Sequence, residues 1–63
     1  MIIHAKWFVD NPAGVFGFNL HELNITQDNW FQLSDVKQNK LILDYLNLNI
    51  KHQVILHTYS ESE

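Results

Sequence analysis

Apolar and polar residues alternate near both ends of this chain and recur with a helical period between them. Residues 2–9, IIHAKWFV, place Ile3, Ala5, Trp7 and Val9 on one side of an extended chain and Ile2, His4, Lys6 and Phe8 on the other. Apolar residues on both sides suit a central strand. Asp10, Asn11, Pro12, Ala13 and Gly14 interrupt the pattern: Asn-Pro starts a turn and Gly14 can supply a positive φ. Residues 15–23 resume the alternation, with Phe16, Phe18 and Leu20 inward and Gly17, Asn19 and His21 outward. An antiparallel register with Val9 opposite Phe16 sets Trp7 against Phe18, Ala5 against Leu20 and His4 against His21, apolar on apolar. Glu22 then falls on the inward side, so the strand should end or bulge there.

Residues 24–33 read as a connector, with Thr26 capping a short turn that leads to Trp30 and Phe31. Trp30 is expected to be partly buried beneath the next element. That element is the main helix, within residues 34–50, SDVKQNKLILDYLNLNI. Ser34 is placed to cap it, and Asp35 adds negative charge where the helix dipole favours it. A helical projection gathers Val36, Ile42, Leu43, Leu46 and Ile50 on a core face and Leu41, Tyr45 and Leu48 on nearly the opposite one. A helix lying on one small sheet has one face to bury, so either Trp30 or a partner must cover the second. The helix is expected to run to about Asn47. The alternation at residues 46–50 also fits a strand, which would dissolve the second face. The last strand, residues 53–59, sets Val54, Leu56 and Thr58 on one side and Ile55, His57 and Tyr59 on the other. Residues 60–63 read as a frayed polar tail.

The element order is ββαβ: a single α+β domain over residues 1–63. A right-handed crossover gives a three-stranded sheet of order 2-1-3 with the helix on one face and the other face open. On that open face the pattern places Ile2, His4, Phe8, His21, Ile55, His57 and Tyr59, a mixture of apolar, aromatic and titratable side chains typical of protein-binding surfaces. Leu41, Tyr45 and Leu48 form a second candidate surface on the helix. Val54, Ile55 and Leu56 on an outer strand would invite strand addition, unless Lys51 and His57 keep that edge solvated.

Composition narrows the functions. A chain of 63 residues buries only about 60% of the surface it exposes when unfolded, and with no cysteine neither disulfides nor thiolate metal sites can staple it. Its 46% hydrophobic content still favours a folded domain. The formal charge is −3, with four lysines and no arginine, which argues against nucleic acid as a partner. Mimicry of DNA fits no better, because Asp10, Glu22, Asp28, Asp35, Asp44, Glu61 and Glu63 are scattered. No membrane span or signal segment is apparent, the frame beginning at Met1 reads as complete, and the expected location is cytoplasmic.

Candidate chemistry is sparse. His4, His21 and His57 come from three predicted strands, and by parity all would lie on the open face. There they could bind zinc or respond to pH, although their spacing matches no metal motif. The serines, Ser34, Ser60 and Ser62, form no nucleophile elbow, and the glycines Gly14 and Gly17 form neither a phosphate loop nor a dinucleotide fingerprint. No enzyme, cofactor or metal is therefore expected. The expectation is a small protein-binding domain of inhibitor or adaptor type, a homodimer that meets an unidentified protein. Phages and mobile elements encode many such proteins, anti-CRISPR and host-takeover proteins among them; that parallel is one of size and charge alone. The alternatives are a homo-oligomeric structural or assembly subunit and a histidine-based metal-binding or pH-sensing module.

Overall fold

The computed structural model describes residues 1–8, 13–50 and 54–63. Strands β1 (Ile2–Phe8), β2 (Ala13–Asn19) and β3 (Ile55–Ser62) form one sheet of order β2-β1-β3, with both outer strands antiparallel to β1. Between β2 and β3 run a 3-10 turn at Leu20–Leu23 and the helices α1 (Gln27–Gln32) and α2 (Asp35–Asn49). This is the expected ββαβ arrangement, an α+β fold with one main helix. The predicted contacts of Val9, and most of the predicted turn between the first two strands, lie outside the described residues, as do Lys51, His52 and Gln53.

The core lies between the sheet and the helices. Ile3, Ala5, Phe18, Leu20, Trp30, Ile42, Leu46 and Val54 are buried there. Each large apolar side chain so removed from water contributes about 1.5–3 kcal/mol before entropy is counted. Trp30 is completely buried, more deeply than expected.

β2 keeps its predicted parity but not its register. Ala5 pairs with Phe16, Ile3 with Phe18 and Trp7 with Gly14, so each β1 residue meets a partner four positions earlier than expected. An even slip leaves Phe16 and Phe18 inward. Trp7 supplies the physical reason. A Cβ at position 14 would collide with Cζ2 of the Trp7 ring, so the indole occupies space that only glycine leaves open. β2 stops at Asn19, ahead of Glu22. The amide of Leu20 donates to the Met1 carbonyl, and Asn19 and Glu22 close a capping box around the 3-10 turn. His21 therefore sits exposed in that turn and not on the sheet beside His4, which pairs with Gly17.

Both helix caps are where the sequence placed them. Thr26 Oγ1 accepts from the Asn29 amide at 3.2 Å, and Ser34 Oγ from the Lys37 amide at 3.3 Å. α2 continues to Asn49, so residues 46–49 are helix. Its two predicted faces are two flanks of one contact face. Gln38, Ile42 and Leu46 form the buried centre. Leu43 and Ile50 are half-buried on one flank, Leu41 and Tyr45 on the other. Val36, expected in the core, is 77% exposed, and Leu48 is 86% exposed. The projection went astray because the centre of the contact face is marked by a glutamine.

β3 departs furthest from expectation. Its pairing with β1 shifts between Lys6 and Trp7: Lys6 meets Thr58, but Trp7 meets Leu56, so His57 is an extra bulged residue. The bulge inverts the parity beyond it. Ile55 stays on the open face, while Tyr59, opposite Ala5, and Glu61, opposite Ile3, turn to the helix face. The polar tail expected at residues 60–63 is strand through Ser62, paired with Ile2.

Candidate partner-binding surface

Pairing across the three strands lays out the open face in four rows: Asn19–Ile2–Ser62, Gly17–His4–Ser60, Val15–Lys6–Thr58 and Ala13–Phe8–Ile55. The first two rows are largely polar. Nε2 of His4 and Oγ of Ser62 lie 2.8 Å apart in a hydrogen bond. The last two rows carry the exposed apolar groups, Val15 at 66% and Ile55 at 68%. Lys6 stands exposed between them. None of the four rows contains a carboxylate, in a chain whose formal charge is −3.

Of the residues the sequence assigned to this surface, Ile2, His4 and Ile55 belong to it. Phe8 is paired within the last row, but its side chain lies outside the described residues. His57 is exposed at the bulge. His21 and Tyr59 leave the surface, for the turn and the core side respectively. The three histidines are not brought together, and among the described residues no three His, Cys, Asp or Glu side chains could hold a metal ion. Val15 was missed as a member, and Lys6, read on the same side as His4, was not counted among the binding residues. Parity with Gly17 places Val15 outward, and parity with His4 does the same for Lys6, so the signal was present.

On the other side, a shallow hollow of about 450 Å³ lies between the start of α2 and β3, lined among others by Asp35, Gln38, His57, Tyr59 and Glu61. Three of its polar side chains, Gln38, Tyr59 and Glu61, are engaged in holding the fold. Tyr59 Oη donates to Gln38 Oε1 at 2.6 Å, Gln38 Nε2 donates to the Trp30 carbonyl at 2.8 Å, and Trp30 Nε1 donates to Glu61 Oε1 at 3.2 Å. Burial pushes the Tyr59 phenol above its ordinary value, and the charges of Asp35 and Glu61 push it further. The phenol serves as a hydrogen-bond donor to Gln38.

The helix residues expected to face a partner divide. Tyr45 stacks on Phe18 with ring centroids 4.2 Å apart and lies 6.0 Å from Phe16. Its hydroxyl donates to Glu22 Oε1 at 2.8 Å, and its pKa is raised by burial first and by Glu22 second. Leu41 lines a small apolar hollow with Leu33, edged by Lys37, Lys40 and Asp44. Leu48 alone of the three is freely exposed. No helix among the described residues is long and apolar enough to cross a membrane. No protein-family model, curated protein or solved structure matches the chain.

Proposed function

We propose that this chain is a non-enzymatic protein-binding domain, of inhibitor or adaptor type, that engages another protein through the uncovered face of its sheet. One observation carries the reading: the buried core of the described residues lies on the helix face of the sheet, while Val15 and Ile55, on strands flanking Lys6, stand two-thirds exposed on the other. An antiparallel sheet with one wet face ordinarily sets polar residues outward. Burying two such side chains against a partner would contribute about 1.5–3 kcal/mol each. A lysine in rows that, among the described residues, carry no carboxylate suits a partner surface that is apolar at its centre and acidic at its rim.

The test is photo-crosslinking. A photoreactive side chain at position 55 should form an adduct with a foreign protein, and the same group at position 36 should not. Unlabelled wild type should compete the adduct away, whereas Val15→Glu and Ile55→Glu, shown folded by circular dichroism, should not compete. Equal competition by these variants would overturn the assignment of the face.

A further inference from the structure

The two edges of the sheet differ in how they are guarded. β3 carries a bulge at His57 and a glutamate at position 61, with Glu63 following the strand. Bulges and charges are the ordinary devices that keep an edge from pairing with another strand. β2 has neither. Its seven residues, AGVFGFN, contain no charge and no proline, and its pairing with β1 is regular throughout. Among the described residues its outer side has no partner strand.

The apolar flank of α2 lies on the same side. Tyr45 reaches over β2 to Phe16 and Phe18, and the helical period sets Leu41 and Leu48 on the same flank of α2 as Tyr45. Leu48 is the most exposed large apolar side chain among those described. An extended peptide added to β2 would satisfy the free backbone groups but leave Leu48 in water. Covering both requires a partner that brings a helical layer above its own edge strand.

We infer that β2 pairs antiparallel with β2 of a second copy, joining two sheets into one of six strands. A two-fold axis through Phe16, the middle residue of β2, pairs Phe16 with its equivalent and Val15 with Gly17 of the second copy. An axis normal to the sheet keeps both helices on one side. The two half-buried Phe16 rings then floor the trough between the helices, and the two Leu48 side chains close over it. A seven-residue strand is about 23 Å long. With a sheet and a helix layer of about 10 Å each, the contact projects to roughly 450 Å² per copy, about 900 Å² in total, which is below the size of a stable interface and fits a weak, concentration-dependent dimer. The two open faces would also merge into one surface of double width.

Solution mass by sedimentation equilibrium, from about 10 μM to 1 mM, tests this together with amide hydrogen exchange at both ends of that range. The expected result is a dimer whose β2 amides gain protection with concentration while those of β3 do not. Leu48→Glu should weaken dimerisation about tenfold or more, because it places a charge in the trough without touching the monomer's core. Ile55→Glu should leave the mass unchanged, which separates this contact from the open face. A wild type that stays monomeric at 1 mM overturns the inference. So does a dimer that protects β3, or one broken by Ile55→Glu and not by Leu48→Glu. Protection of β2 without sensitivity to Leu48→Glu overturns the packed helix flanks.

Discussion

The two outer strands are fastened to the same helix by different physics. β2 is held by rings: Phe18 stacks on Tyr45 at an interplanar angle of 23°, with Phe16 tilted beside them. β3 is held beyond its bulge by a polar relay, in which Tyr59, Gln38, the Trp30 carbonyl, Trp30 Nε1 and Glu61 connect in turn. The apolar strand needed only its alternation to find its place. The polar strand, ILHTYSES, has too few apolar residues to be positioned by burial alone. Its lower half is fixed by hydrogen bonds whose members, in sequence, look like surface.

Removing the residue common to both halves of that relay should have the largest effect. Trp30→Ala deletes a fully buried ring, the edge contact with Tyr59 at 6.3 Å and the donor to Glu61. Large aromatic truncations in cores cost about 3–5 kcal/mol. A chain of 63 residues has roughly 3–9 kcal/mol in total at ordinary stability per residue. Denaturant titration should therefore show the variant losing at least about a third of its stability, and unfolded without denaturant if wild type lies at the low end of that range. A loss below about 1 kcal/mol would mean that the β3 side is held by something else.

The relay itself is open to a double-mutant cycle. Gln38→Leu leaves the Tyr59 hydroxyl without its acceptor and should cost about 1–3 kcal/mol; Tyr59→Phe should cost about 0.5–1.5 kcal/mol. If the two groups act as one contact, the double variant should recover about 1 kcal/mol relative to the sum of the singles. Additive losses by thermal denaturation would break the claim that a hydrogen bond, and not ring packing, holds Tyr59.

On the β2 side the corresponding weak point is steric. Gly14→Ala forces a methyl group into the Trp7 indole and should cost about 1–3 kcal/mol by overpacking. Trp7→Leu should restore much of that loss in the double variant. A tolerated Gly14→Ala in the wild-type background would show that Trp7 does not pin the register.

Much of this architecture was legible in the order of residues. The strand-helix-strand periods, the caps Thr26 and Ser34, the end of β2 before Glu22 and the sheet order all follow from local pattern and chain geometry. Three particulars did not. The β2 register turned on the fit of one indole over one glycine, which no alternation encodes. The contact face of α2 was split in two because Gln38 occupies its centre; a buried glutamine is visible only once its two partners are placed. The bulge at His57 shifted Tyr59 from the presumed partner surface to the core side, since one extra residue inverts everything after it. Of the candidate surface, Ile2, His4 and Ile55 survived because they precede the bulge or lie on β1.

The finest comparison between the sides is their response to alkali. Each side carries one tyrosine whose pKa is raised in the fold, Tyr45 over β2 and Tyr59 on β3, in both cases by burial first and carboxylates second. In the unfolded chain both phenols titrate near their ordinary value of about 10. Above that pH the folded state holds protons that the unfolded state has released. The tyrosines' contribution is therefore complete below about pH 10 and is lost as the pH climbs toward the raised folded values. Melting temperatures measured from pH 9 to 11 should fall more steeply for wild type than for Tyr45→Phe or Tyr59→Phe, with lysine deprotonation common to all three. If only Tyr59→Phe flattens the slope, the polar relay is the alkali-sensitive fastening. Flattening by Tyr45→Phe alone would move that sensitivity to the Glu22 contact beside β2.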